Sequence, residues 1–128
     1  MFWGYKWKMN LNVKKINDYI VINFNGSLDT KVSRNFEEDI ENILAQYPEM
    51  NILLNMKDLK YLSSSGLKIF VSLRRALSEK NLELKICNMG RAVKDVFEMT
   101  KLLQFFKIYS DEESAIYSLS EIDPNEIE

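Results

Sequence analysis

Short apolar runs alternate along the chain with segments of helical periodicity, and this alternation restricts the possible folds more than any other feature. The apolar runs comprise residues 19–24, 51–56 and 82–87. After the first run, Val32, Phe36 and Ile40 recur at the spacing of one helix face, and Leu67 and Phe70 begin the same pattern after the second. The resulting order β-β-α-β-α-β-α-β-α predicts an α/β fold, with a central mixed sheet of about five strands and about four helices packed on it.

The first strand is predicted from strict alternation near the beginning of the chain. Its apolar positions are Trp3, Tyr5, Trp7, Met9, Leu11 and Val13. Asn17 and Asp18 form a turn signal before the run 19–24, which indicates a β-hairpin. Residues 1–8 are interpreted as an extension of the first strand, whose exposed aromatic side chains would form an interaction patch. The alternative is that translation begins at Met9.

Local signals set three element boundaries. The segment Gly26–Thr30 breaks the second strand, and Asp29 or Thr30 is expected to cap the helix that follows. Phe105–Tyr109 is predicted to be the final short strand. Ser110 opens a capping box for the last helix.

Length and charge limit the classes of function. The 128 residues are enough for one domain, which we expect at residues 9–120, followed by an acidic, disordered tail over residues 121–128. The formal net charge is −2, so a nucleic-acid partner is not expected. No apolar segment approaches the length of a membrane span, and we expect a cytoplasmic protein without a membrane-spanning segment.

The chain lacks histidine, which removes the commonest general base and the Ser–His and Cys–His nucleophile pairs. Its single cysteine, Cys87, lies in a strand-like run and is expected to be a buried, inert thiol. Neither a phosphate-binding glycine loop nor a set of metal ligands is present in the sequence. We therefore expect no catalytic residues, no metal and no cofactor, and a protein that is not an enzyme.

Three consecutive serines, Ser63, Ser64 and Ser65, precede Gly66 where a helical pattern begins. A serine at a helix start can accept hydrogen bonds from the free backbone N–H groups of the first turn. If phosphorylated, the same serine would place a charge of roughly −1.5 to −2 at the positive end of the helix dipole. Right-handed crossovers predict that this turn lies at the carboxyl end of a central strand. The residues alone leave both interpretations open, a cap or a charge switch.

Five segments, in this order and spacing, resemble the STAS domain, named for sulfate transporters and anti-sigma factor antagonists. They are Gly26–Asp29, Tyr61–Leu67 and the closing segments Asn88–Arg91, 93–103 and Tyr109–Ala115. The resemblance extends over about residues 9–119 and is greatest to the stand-alone bacterial anti-sigma factor antagonists. It implies a single STAS-like α/β domain.

The resemblance also implies a function and a site. The family's phosphorylated residue precedes the glycine of the turn and corresponds to Ser65. Partner-binding residues implied near it are Asp29, Ser63, Ser64, Ser65, Gly66 and Lys68, with Gly66 allowing a partner to approach closely. Ser63 and Asn55 stand where many members have aspartate.

The implied partners are an anti-sigma factor with serine kinase activity and a serine phosphatase. The unphosphorylated protein would bind the kinase and free a sigma factor, and phosphorylation would end this binding. The alternative is a STAS adaptor subunit of another assembly, such as a lipid-transport ABC ATPase complex or a stress-sensing scaffold, without sigma-factor switching. A small serine hydrolase is disfavoured because the chain has no nucleophile elbow. The oligomeric state is left open between a monomer and a weak dimer.

Overall fold

Five strands form the central sheet of the structure, a computed structural model that describes residues 11–119. The strands of the molecule are β1 (Leu11–Ile16), β2 (Tyr19–Phe24), β3 (Gly26–Leu28), β4 (Asn51–Asn55), β5 (Leu59–Leu62), β6 (Leu84–Cys87) and β7 (Lys107–Tyr109). The helices are α1 (Ser33–Gln46), α2 (Ser64–Glu79), α3 (Arg91–Met99) and α4 (Glu112–Ile116), and Leu103–Phe105 forms one 3₁₀ turn. The strand extension predicted over residues 1–8 and the tail predicted over 121–128 lie outside the described residues.

The central sheet has the strand order β1-β2-β4-β6-β7. β1 is antiparallel to β2, whereas β2, β4, β6 and β7 are parallel to one another. The β1–β2 hairpin turns at Asn17, whose φ of 53° lies in the left-handed region that asparagine tolerates. The predicted α/β fold, with a mixed five-stranded sheet and four helices, is confirmed.

Side chains of the central strands alternate between two buried faces. One face packs against α1, α2 and α3, and we call it the major face. Its aromatic residues are Phe24, Phe36, Phe70, Phe97 and Phe106. The other face lies under α4, and we call it the minor face. Its buried apolar cluster is Tyr19, Val21, Leu53, Cys87, Tyr109 and Ala115. Burial on both faces explains why β2 and β4 are almost continuously apolar.

A second, two-stranded sheet is formed by the parallel pair β3 and β5, which the sequence analysis did not predict. Gly26–Leu28 was expected to be part of a strand break and is instead strand β3, so that expectation is wrong. Gly26 has a φ of 116°, which redirects the chain between β2 and β3. The two strands are about thirty residues apart in sequence, and their pairing partner cannot be identified from local composition.

Both predicted helix caps are wrong by one or more residues. The residue before α1 is Val32, which makes no side-chain capping bond, and Asp29 Oδ1 accepts a hydrogen bond from the Val32 N–H at 3.1 Å instead. Asp111, not Ser110, caps α4, because its Oδ1 accepts from the Ser114 N–H at 2.8 Å. Asp111 is fully exposed, and the hydrogen bonds from Ser114 lower the pKa of its carboxyl.

The predicted last strand, Phe105–Tyr109, is shorter than expected. Only Lys107–Tyr109 pairs with β6, because the residues before it form the 3₁₀ turn. Phe106 is buried on the major face, whereas Phe105 is 50% exposed. The two adjacent phenylalanines therefore have different roles, which their sequence does not distinguish.

The only cysteine is buried, as predicted. Cys87 is the last residue of β6 on the minor face and has no exposed surface. Burial, together with the negative charges of Glu112 and Asp111, raises the pKa of its thiol to about 12. Almost no thiolate exists at neutral pH, so the thiol is a poor nucleophile.

Candidate functional site

The parallel pair β3–β5 brings two predicted site residues to the same end of the small sheet. Leu28 and Leu62 are register partners, and the Ser63 N–H donates a hydrogen bond to the Leu28 carbonyl oxygen at 2.8 Å. Asp29 and Ser63 directly follow these two leucines. The serine turn therefore lies at the carboxyl end of β5, not at the end of a central strand as the sequence analysis predicted.

Ser63 is the N-cap of α2. Its backbone is extended, and its Oγ accepts a hydrogen bond from the Gly66 N–H at 3.1 Å. The residue is only 6% exposed, so its hydroxyl faces the first turn of the helix and not solvent. The capping interpretation is correct for Ser63, whose burial leaves little of its side chain for a partner, and the contact with a partner stays a prediction.

Gly66 is buried inside the domain, beneath the first turn of α2. A Cβ atom placed on it would lie 2.8 Å from Leu28 Cγ and 2.9 Å from Leu62 Cδ1, closer than real Cβ contacts allow. The glycine therefore allows α2 to pack closely against β3 and β5. These two leucines occupy the space into which a side chain at this position would extend, and the close approach of a partner stays a prediction.

The remaining serines of the turn are accessible. Ser64 is exposed, and Ser65, the second residue of α2, is half-buried. Within residues 11–119 no hydrogen bond involves the hydroxyl of either serine. Lys68 follows Ser65 by one turn and is exposed. Because Ser63 alone caps the helix, the Ser65 hydroxyl is available for chemistry.

Ser65 faces a groove between α1 and α2, which we call the α1–α2 groove. Its volume is about 400 Å³, and it is lined by Ser33, Arg34, Glu37, Ser65, Lys68, Ile69 and Ser72. The groove brings Ser65 together with Lys68, but Asp29 and Ser64 do not line it. Two cationic side chains and one carboxylate line it, so its formal charge is +1. The site thus presents a free hydroxyl at a helix N-terminus beside an excess of positive charge.

Two residues near the serine turn and the groove, Arg34 and Tyr61, were not identified as candidates from the sequence. Arg34 lines the α1–α2 groove, which periodicity does not reveal because the groove depends on α1 packing beside α2. Tyr61 was read only as part of the serine motif, yet it is 52% exposed on β5, two residues before the cap. Its position depends on the pairing of β5 with β3, so no local sequence pattern identified it.

Asn55, at the carboxyl end of β4, organises a polar cluster under α4. Its Nδ2 donates to Glu112 Oε2 at 2.6 Å, and its Oδ1 accepts from the Lys57 N–H at 3.0 Å and from Asn88 Nδ2 at 3.2 Å. The amide both donates and accepts here, whereas an ionised carboxylate could only accept. An aspartate at this position would put a second carboxylate against Glu112. The asparagine is therefore matched to α4, and it is 4% exposed.

Two other classes of site are absent from residues 11–119. No group of three or more cysteine, aspartate or glutamate side chains is placed to hold a metal ion. In the same range, none of the helices combines the length and the apolar character required to cross a bilayer.

Comparison with known proteins gives a family match over most of the chain. A family model described as STAS domain matches residues 10–115. The anti-sigma F factor antagonist of Paenibacillus polymyxa is 23% identical over 100 residues, covering 78% of this chain and 86% of that protein. The anti-sigma-B factor antagonist of Bacillus subtilis is 25% identical over 108 residues, covering 84% of this chain and 97% of that protein.

Solved structures agree with the fold. The anti-sigma factor antagonist SpoIIAA in its unphosphorylated form has a TM-score of 0.70 at 19% identity, covering 86% of this chain and 98% of that chain. The Bacillus cell fate determinant SpoIIAA in the phosphorylated form has a TM-score of 0.65 at 21% identity, covering 86% of this chain and 99% of that chain. At such low identity the agreement establishes a shared fold alone.

Proposed function

The chain belongs to the STAS domain family, and we propose that it is a bacterial anti-sigma factor antagonist switched by phosphorylation at Ser65. In the unphosphorylated form it binds an anti-sigma factor with serine kinase activity and thereby frees a sigma factor. Phosphorylation by that kinase ends the binding, and a serine phosphatase restores it. In this proposal the protein acts by binding and not by catalysis, and it works in the cytoplasm. The names of the relatives support the proposed class.

The availability of the Ser65 hydroxyl is the observation that carries the proposal. Ser63 caps α2, so the Ser65 hydroxyl is not required for capping. It lies at the second helical position, half-buried, at the margin of the α1–α2 groove. A kinase can reach such a hydroxyl without unfolding the domain. A helix N-terminus also tolerates the phosphate, because its backbone N–H groups and dipole favour negative charge.

The proposed partner surface is built from side chains around this hydroxyl. Ser64 and Lys68 are exposed on the first two turns of α2, and Asp29 is half-buried at the end of β3. Tyr61 adds an exposed aromatic ring of the type that often dominates interface energies. Asp29 also accepts the Val32 N–H, so its carboxylate is held in place.

The switch needs a change of charge and no change of fold. A phosphate adds about two negative charges at the centre of the proposed surface. Bringing this added negative charge against a partner costs desolvation and repulsion, and about 1.4 kcal/mol already lowers the affinity tenfold. We therefore expect nearly the same domain structure in both forms and a large difference in affinity.

Comparative capture from a lysate of the native cells tests the proposal. The baits are Ser65→Ala and Ser65→Asp, and Ser64→Asp is the matched control because its hydroxyl is exposed one residue away. The expected result is a kinase-fold anti-sigma factor held by Ser65→Ala and lost from Ser65→Asp, with at most a partial loss from Ser64→Asp. Incubation of the purified partner with ATP and the wild-type protein should then place phosphate on Ser65, located by mass spectrometry.

Equal capture by both Ser65 baits would overturn the phosphorylation switch. A captured ABC-type ATPase or a scaffold of STAS proteins, in place of a kinase, would favour the adaptor function in another assembly. Phosphate found on Ser64 instead of Ser65 would keep the class of function and correct the acceptor.

A further inference from the structure

The α1–α2 groove contains cations from two different helices that have no ion-pair partner among residues 11–119. Arg34 extends from α1 and Lys68 from α2, and neither forms a salt bridge within residues 11–119. Elsewhere on the surface such cations do pair, as Arg91 does with Asp95 at 3.4 Å. Glu37 is the one carboxylate that lines the groove. The groove therefore has the capacity to neutralise an added anion.

A phosphate on Ser65 would supply that anion. Residues three apart on a helix have Cβ atoms about 5–6 Å from each other, so the side chains of Ser65 and Lys68 are neighbours. Arg34 lines the same groove from the facing helix, and its guanidinium can bind a phosphate with two parallel hydrogen bonds. Ser72 supplies a further hydroxyl on the groove wall, whereas the Ser33 hydroxyl already donates to the Thr30 carbonyl oxygen at 2.9 Å.

We propose that phosphate on Ser65 is bound within the same chain by Arg34 and Lys68, across the α1–α2 groove. The proposal rests on the proposed function for the source of the phosphate, but its chemistry does not require the partner. Phosphorylation changes the formal charge of the groove from +1 to about −1, since the phosphate carries about two negative charges. The two cations available to an acidic group of the partner then face the chain's own phosphate. The phosphate would thus repel an acidic group of the partner, and it would also neutralise the two cations that could otherwise attract that group.

A titration of the phosphate itself tests the proposal without any kinase or partner. Phosphoserine is incorporated at position 65 of the full chain by genetic-code expansion, and ³¹P NMR measures its second pKa, which is about 6 for an unperturbed phosphoserine. In the wild-type background this pKa should fall by roughly one unit, because nearby cations favour the dianion. Arg34→Gln and Lys68→Gln should each raise it again.

The sign of the effect is checked at a third position. Glu37→Gln removes the carboxylate from the groove, so it should lower the phosphate pKa further. Arg75→Gln is the matched control, because Arg75 is exposed on α2 and does not line the groove. It should leave the phosphate pKa unchanged. Arg34→Lys should give a pKa between those of the wild type and Arg34→Gln, and it serves as a second variant if Arg34→Gln unfolds.

A wild-type pKa near 6 would overturn this proposal, as would equal pKa values in Arg34→Gln, Arg75→Gln and the wild type. Neither result would touch the proposed function, which is judged by partner capture on Ser65→Ala and Ser65→Asp. Conversely, a lowered phosphate pKa with equal capture by both baits would leave the groove a phosphate-binding site and remove the proposed switch.

Discussion

On the major face of the central sheet three helices of 14, 16 and 9 residues cover the strands, whereas on the minor face α4 covers them with five. The rings on the major face form a continuous chain, with centroids between 5.1 and 6.4 Å apart. The minor face buries only Ala115 from α4 in its apolar cluster. The two faces are therefore held to their helices by different kinds of interaction.

Polar contacts replace apolar area on the minor face. Lys85, in the middle of the sheet and 1% exposed, donates from Nζ to the Ala115 carbonyl oxygen and to Ser118 Oγ, both at 2.8 Å. Its ammonium lies 5.2 Å from the ring centre of Tyr19 and 5.0 Å from that of Tyr109, as in a cation–π contact. A five-residue helix is too short to be stable alone, and these contacts fix it. We therefore expect substitutions on the major face to destabilise the whole domain, and substitutions on the minor face to affect mainly the segment around α4.

The largest effect is expected from Phe70→Ala. The ring of Phe70 contacts Phe24, Phe36 and Phe97, and its removal leaves a cavity in the centre of the major face. The free energy of unfolding should fall by about 3–5 kcal/mol, measured by urea denaturation with fluorescence and circular dichroism. Phe105→Ala, at a half-exposed ring, should cost about 0.5 kcal/mol or less. Similar costs for the two variants would contradict the assignment of the core.

Lys85→Met is expected to act more locally. It keeps the length of the side chain but removes the two hydrogen bonds that Nζ donates to the Ala115 carbonyl oxygen and to Ser118 Oγ, which should cost about 1–3 kcal/mol. Hydrogen exchange followed by mass spectrometry should accelerate in residues 111–119 and stay unchanged in α2. Lys60→Met, on the exposed side of β5, is the control and should alter neither segment. Faster exchange across the major face as well would break the distinction between the two faces.

Ser63→Ala should destabilise the domain less than Phe70→Ala does. It separates the capping role of Ser63 from the proposed role of Ser65 as phosphate acceptor. Loss of the Gly66 N–H bond should cost about 0.5–2 kcal/mol in thermal or urea unfolding. Ser65→Ala, two residues away on the same helix, should stay within about 0.5 kcal/mol of the wild type, since its hydroxyl is unbonded. A reversed order would mean that Ser65 caps α2, and the phosphorylation proposal would lose its main support.

The smallest effect is a pH dependence confined to the minor face. Burial raises the pKa of Glu112, but the hydrogen bonds from Lys14 and Asn55 lower it more, so the folded pKa lies below the usual 4.5. The unfolded chain then binds a proton more readily than the folded chain. The stabilisation is fully present above pH 4.5 and is lost as the pH falls through the folded pKa.

The stability advantage of the wild type over Glu112→Gln should therefore shrink as the pH is lowered from about 6 to about 3. Urea denaturation midpoints at several pH values measure it. Lys14→Met removes the 2.9 Å ion pair with Glu112 and should weaken the same pH dependence. Lys107 lowers the pKa of Glu83 on this face, so Glu83 also makes the protein less stable as the pH falls. This contribution is the same in the wild type and in Glu112→Gln and does not affect their difference. A difference in stability between the wild type and Glu112→Gln that stays constant with pH would show that the Glu112 contacts do not stabilise α4.

Much of the fold was predictable because its signals are local. The turn at Asn17, the apolar runs of β2, β4 and β6, and the helical spacing from Phe36 and Phe70 each lie within a few neighbouring residues. The burial of Cys87 followed from the run around it. The two-stranded sheet was missed because Gly26–Leu28 has no partner within its own neighbourhood and pairs instead with β5.

The candidate site was predicted less completely than the fold. Ser65 and Lys68 lie together because one helix carries both, which spacing alone reveals. Arg34 joins them from α1 only through the packing of two helices. Ser63 and Gly66 were assigned to a partner, although both are buried and serve the first turn of α2. Sequence identifies which residue types are gathered in a motif, but not which of them face inwards.

By itself, the sequence determined the class of fold, the succession of the main strands and helices along the chain, and the family, since periodicity and motif order are properties of the chain. Only the tertiary structure decided which serine caps α2, which residues line the α1–α2 groove, and how a lysine can lie buried under α4. Each depends on atoms brought together from distant segments. Burial and hydrogen-bond partners depend on these long-range contacts, and local spacing contains no record of them.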